Sequence, residues 1–110
     1  MALSQESTEL SRDGVDALKG PVLLEFGASW CEHCNAAKPL VAEALARYPE
    51  VRFVWVEDGK GKALGRSFQV KLWPTLVFLK DGQECECLVR PANAGLIEDA
   101  LSRITKPLQE

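Results

Sequence analysis

Apolar residues fall in short runs divided by polar ones, and the spacing within each run predicts alternating strands and helices. Residues 22–27, Val22-Leu23-Leu24-Glu25-Phe26-Gly27, are almost wholly apolar, with Glu25 the exception. Such a run suits a central strand covered on both faces. Over residues 34–48, Leu40, Val41, Ala44, Leu45 and Tyr48 recur as one buried helical stripe, and Pro39 is expected to kink that helix. Residues 51–56, β-branched and aromatic, predict a second buried strand in which Trp55 belongs to the core.

Shorter elements complete the pattern. A helix is expected over residues 11–18, ended by Lys19-Gly20-Pro21, and another over 62–68 after a polar loop at 58–61. Residues 75–79 predict a third strand following Trp73-Pro74, and Asp81-Gly82 turns the chain back as a hairpin through 84–89. Asn93 is placed to cap a last helix carrying Leu96, Ile97, Ala100, Leu101 and Ile104 on one face. The order predicts an α/β fold, a central mixed β-sheet flanked by helices on both faces. The expected organisation is a flexible polar lead-in (1–10), a single domain (11–106) and a short tail (107–110).

Composition narrows the function. The chain has 110 residues, enough for one core but not for a second catalytic unit. With 46% apolar residues, 26% charged and a net charge of -3, it carries no clustered basic footprint for nucleic acid. No apolar run approaches the length of a membrane span. The opening residues show neither the basic start nor the apolar stretch of a signal peptide, so a cytoplasmic setting is expected. Thiols stay reduced there, and the four cysteines then point to catalysis, metal binding or burial rather than crosslinks.

Trp30-Cys31-Glu32-His33-Cys34 directly follows the first strand. Two thiols at this spacing, where a strand meets a helix, can cycle between dithiol and disulfide, although zinc sites use the same spacing. Cys31 would sit at the helix amino end, where unpaired N–H groups and the helix dipole favour a thiolate, which makes it the expected nucleophile. Cys34, one turn further in, is the expected resolving thiol. His33, the only histidine, lies between them and either stabilises the thiolate or is an exposed loop residue without influence. Glu32 acts in the opposite sense, weakened by solvent. Glu25 is either a desolvated acid with a raised pKa or a strand-end carboxylate that reaches water. Cys85 and Cys87 alternate with Glu84 and Glu86, so both are expected on one side of the last strand, buried as small apolar residues.

Taken together, Phe26-Gly27-Ala28-Ser29-Trp30-Cys31, Cys34, Pro39, the acid in the preceding strand, and Trp73-Pro74-Thr75 before Asp81-Gly82 resemble the thioredoxin family from about residue 21 to 104. The resemblance implies the thioredoxin fold, a nucleophilic Cys31, a cis bond before Pro74 facing the disulfide, and a Glu25 that relays a proton to or from Cys34. It also implies a substrate groove in which Trp30 and Trp73 form apolar walls, Pro74 presents backbone to an extended peptide, and Thr75 is a further substrate-binding residue. Trp30 as core packing and Trp73 as an inconsequential lip are the competing readings. The chain departs from the family pattern in three places: Glu32-His33 where Gly-Pro is usual, Trp55 where a lysine often accompanies the buried acid, and Arg90-Pro91 where a glycine is expected.

The expected function is thiol-disulfide exchange between the Cys31-Cys34 pair and protein disulfides, contributing to cell redox homeostasis. His33 would raise the reduction potential above the family's usual value. No bound cofactor or metal is expected; electrons would come from NADPH through a thioredoxin reductase, with the protein acting as a monomer. Two alternatives are a chaperone or adaptor with a dedicated partner, and a zinc module using Cys31, Cys34 and His33, or Cys85 and Cys87.

Overall fold

The apolar run after Gly20 becomes the central strand because it is sandwiched between two helix layers. A computed structural model describes residues 10–105 as α1 (Arg12–Asp16), β1 (Pro21–Gly27), α2 (Glu32–Ala46), β2 (Arg52–Glu57), α3 (Ala63–Ser67), β3 (Thr75–Lys80), β4 (Gln83–Val89) and α4 (Ala94–Thr105). The expected lead-in 1–10, apart from Leu10, lies outside the described residues, as do residue 106 and the tail 107–110. The four-stranded sheet runs β2-β1-β3-β4, with β1 parallel to β2 and antiparallel to β3, and β3 antiparallel to β4. It is a mixed sheet of the predicted kind.

Two-residue alternation in β1 divides the core. Val22, Leu24 and Phe26 join Val54, Val77 and Leu79 beneath Val15 of α1 and Leu64 of α3. Leu23 faces the other way, with Phe53, Leu76 and Phe78 under the apolar stripes of α2 and α4. Glu25, two residues on from Leu23, therefore lies on the α2 side. The predicted turn forms at Asp81 (φ 51°) and Gly82 (φ 82°), both in the left-handed region a tight hairpin requires. A side chain at Gly82 would also overlap the Asp16 carbonyl oxygen at the end of α1. Asp81 Oδ1 accepts from the Gly20 amide at 2.8 Å, tying the turn to the start of β1.

Three expectations are corrected. α2 begins at Glu32 rather than at 34, because Cys31 itself caps it, and it ends at Ala46, leaving Tyr48 beyond its C-cap Arg47. Its buried stripe is Cys34, Ala37, Val41, Ala44 and Leu45. In α4, Asn93 Oδ1 accepts from the Leu96 amide at 3.0 Å as a cap, but the Leu96 side chain is exposed. The buried stripe runs Ala94, Ile97, Ala100, Leu101 and Ile104, and Leu96 falls about a quarter-turn off it.

Cys85 and Cys87 are both exposed, not buried. β4 is an edge strand, and its register passes from Phe78↔Glu86 to Leu79↔Glu84, leaving Cys85 as an unpaired bulge residue. That bulge interrupts the strict alternation expected for the two thiols.

Candidate active site

β1 delivers the chain to a short link, residues 28–31, and α2 starts there with Cys31 at its N-cap (φ -81°, ψ 123°). The Cys34 amide donates to Cys31 Sγ at 3.2 Å, one of the otherwise unpaired N–H groups of the helix's first turn. Cys31 thus occupies the position where a helix end best favours negative charge. Both thiols are unbridged and buried, Cys31 at 7% exposure and Cys34 at 1%, so Cys31 is the more accessible to an incoming disulfide.

Burial pushes the Cys34 thiol up to about 12, aided by its hydrogen bond with Cys31 and by the nearby Cys31 and Glu25, while a backbone hydrogen bond from Ala28 works the other way. A group held neutral in this way makes a poor first attacker. Glu25 is 2% exposed, which excludes the reading of a carboxylate reaching water. Desolvation raises it from 4.5 to about 7, and the positive charge of Lys38 pulls in the opposite direction. Its Oε2 is buried and has no hydrogen-bond partner among the described residues, and Glu25 is among the residues lining a cavity of about 500 Å³, with Ser29, Asn35, Lys38, Pro39, Phe53 and Trp55. The lining is mostly apolar, but Ser29, Asn35 and Lys38 supply polar groups, and the cavity has room for water near the acid.

Trp55 packs against the core as expected and also borders the two cysteines. It packs against the Ala28, Cys31 and Cys34 cluster and lines the Glu25 cavity, while its Nε1 donates to Glu57 Oε1 at 3.1 Å. Gly27 permits this closeness: a β-carbon there would come within 2.5 Å of Cys34 Sγ and 2.9 Å of the Trp55 ring. The sequence pattern could not show this second contact because a β2 position next to β1 reads as buried either way. Lys38 went unmarked, although it lies four residues after Cys34, an interval that places two side chains on one helix face.

Trp30 is 73% exposed, which rules out core packing. Its ring meets Trp73 edge-to-face, centroids 5.5 Å apart at 74°. Trp73 also packs against the cysteine cluster, and its Nε1 donates to Asp58 Oδ2 at 2.9 Å, so it is a braced wall rather than a loose lip. The Trp73-Pro74 bond is cis. Thr75 is buried, and its hydroxyl donates to Leu72 O at 2.6 Å, so its side chain braces the turn instead of facing a substrate. Arg90 holds φ 51°, a left-handed conformation that costs a residue with a side chain about 1–2 kcal/mol. His33 and Glu32 are exposed, and neither is hydrogen-bonded to a thiol in the structure; the Cys34 amide fills that role at Cys31.

The thioredoxin family model matches residues 5–103. The chain belongs to the thioredoxin family. A thioredoxin of Aspergillus fumigatus is 35% identical over 86 residues, spanning 78% of this chain and 80% of its own length. The solved structure of reduced thioredoxin 2 from Pseudomonas aeruginosa superposes with a TM-score of 0.82 at 52% identity, covering 94% of this chain and 96% of that one. A mutant thioredoxin of Halobacterium salinarum follows at TM-score 0.77 and 26% identity, over 96% and 92% of the two chains.

The fold is therefore the thioredoxin fold, and the protein is a thiol-disulfide oxidoreductase. The two alternatives are not favoured. Among the described residues no three His, Cys, Asp or Glu side chains gather as a metal site, and the two cysteine pairs sit apart, at a helix start and on a sheet edge. No helix of the described residues is long and apolar enough to cross a membrane.

Proposed function

We propose that the protein reduces protein disulfides in the cytoplasm, working as a monomer without nucleic acid or membrane partners and contributing to redox homeostasis. The Cys31 thiolate attacks one sulfur of the substrate disulfide; that S–S bond breaks, a Cys31–substrate disulfide forms, and the first substrate sulfur leaves as a thiolate and takes up a proton. Cys34 then gives its proton to Glu25, directly or through water in the adjoining cavity, and attacks Cys31 Sγ. The second substrate thiolate departs, and the pair is left as an intramolecular disulfide. The substrate has gained two electrons and the Cys31-Cys34 pair has lost two. A thioredoxin reductase carrying electrons from NADPH restores the dithiol, and no cofactor stays bound.

The roles follow from environment. Cys31 is nucleophile and Cys34 resolving thiol, while Glu25 acts as proton carrier because a carboxylic acid poised near 7 can both take and give a proton at neutral pH. Trp30 and Trp73 form the apolar walls of the groove, and Pro74 and Thr75 supply its backbone floor. His33, between the two thiols, tunes the potential upward. The observation that carries this reading is the 3.2 Å contact of the Cys34 amide with Cys31 Sγ, which holds both sulfurs on one helical turn.

An insulin-reduction assay driven by NADPH and a thioredoxin reductase tests it. Wild type is expected to turn over, Cys31→Ser to be inactive, and Cys34→Ser to stall as a mixed disulfide with substrate. Turnover by Cys31→Ser at the wild-type rate would overturn the assignment.

A further inference from the structure

Arg90 follows β4 in a backbone conformation that two local preferences oppose. A side chain disfavours φ 51°, and Pro91 after it restricts the residue toward extended backbone. Two hydrogen bonds hold it there: the Arg90 amide donates to Pro74 O at 3.1 Å, and Nε donates to Trp73 O at 2.7 Å. Both acceptors lie in the segment that carries the cis bond beside Cys31. Strained residues of this sort, fixed by their surroundings, concentrate at ligand clamps.

The anchoring leaves chemistry to spare. Nε is engaged by Trp73 O, while the structure gives the two terminal amino groups no partner among the described residues. Val89, directly before Arg90, is 48% exposed, and Leu72 and Trp30, which flank Trp73 in sequence and by ring contact, are 50% and 73% exposed. The guanidinium is thus fixed to the backbone of Trp73, the residue that packs against the Cys31 cluster, with apolar surface exposed beside it. A guanidinium whose planar fork is already oriented matches a carboxylate through paired N–H groups, which a lysine could not reproduce.

We propose that Arg90 is a specificity-determining residue that recognises an aspartate or glutamate carboxylate in the peptide flanking the substrate disulfide. The preferred substrate class is then disulfides with acidic neighbours. Exposed Glu32, adjacent to Cys31, repels an acid at the attacked sulfur itself, so the recognised carboxylate belongs a residue or two away. The inference rests on the reading of Cys31 and Cys34 as the exchanging pair.

The test uses pre-reduced full-length protein in single-turnover reactions with disulfide peptides that differ only by Glu or Gln two residues before, or two residues after, the cysteine. In at least one of the two pairs, wild type is expected to reduce the Glu peptide roughly threefold to tenfold faster, a ratio that shrinks as sodium chloride is raised. Arg90→Gln and Arg90→Gly should bring the ratio close to one, and Arg90→Lys should keep only part of it. Glycine suits the local backbone, so Arg90→Gly carries the comparison should Arg90→Gln fail to fold. Equal rates for both peptides with wild type, or a ratio kept in both Arg90→Gln and Arg90→Gly, overturn the role of Arg90 alone. No reduction of either peptide overturns the exchanging pair and this inference with it.

Discussion

The α-carbon of Gly27 lies so near Cys34 that a β-carbon added there would stand 2.5 Å from Sγ. The last residue of β1 thus sets how closely Cys34 packs on the sheet. Gly27→Ala must displace Cys34 or the Trp55 ring, and overpacking of this kind costs about 1–3 kcal/mol. We expect a lower denaturant midpoint together with slower closure of the Cys31-Cys34 disulfide. An unchanged midpoint and closure rate would show that the site yields without strain.

Glu25 gives stability an unusual pH dependence. Its carboxyl titrates at about 7 when folded against 4.5 as a free side chain. Below 4.5 both states are protonated; between 4.5 and 7 the unfolded chain has lost a proton that the folded one keeps, so stability falls as pH rises through that window and levels off above it. Glu25→Gln lacks that loss. Relative to wild type it should gain nothing near pH 4 and at most about 3 kcal/mol by pH 8, at roughly 1.4 kcal/mol per pKa unit. Urea unfolding at the two pH values measures the difference, and a gain equal at both would remove desolvation as its cause. The same variant should slow resolution of the mixed disulfide.

Lys38 opposes the desolvation of Glu25 across their shared cavity. Lys38→Met removes that charge, and the Glu25 carboxyl should then titrate above its present value near 7. Carbon-13 NMR of the carboxyl reads the shift directly. A titration that stayed in place would assign the counter-charge to another group.

Asp58 links the loop after β2 to Trp73, since its carboxylate accepts a hydrogen bond from Trp73 Nε1. A β-carbon at Gly65 would overlap that carboxylate. Gly65→Ala is therefore expected to release Trp73, seen as altered tryptophan fluorescence, and to raise KM for protein disulfides more than it lowers kcat. An unaltered spectrum would mean that Asp58 moves without disturbing the ring.

Much of the fold was legible because its signals are local. The apolar run at Val22 to Gly27, the Asp81-Gly82 turn and the Asn93 cap each announce an element through neighbours in sequence. The two thiols and Glu25 could be read because a polar residue in an apolar strand, or a cysteine pair at a strand end, stands out from its surroundings. What escaped depends on pairing across the sheet and on packing between elements. Trp55 reads as core alone until its register beside Glu25 is known, and Cys85 and Cys87 read as buried until β4 proves to be an outer strand. Lys38 is exposed, and its tie to Glu25 emerges only from the cavity that both line.

The bulge at Cys85 reaches beyond the position of one thiol. A continuous, flat outer strand would offer its unpaired amides and carbonyls as a template to any neighbouring chain. Here the ladder is broken mid-strand and flanked by Glu84 and Glu86, whose like charges repel a second copy laid alongside. The same irregularity that leaves a cysteine unpaired therefore shields the sheet margin against fibrous self-assembly.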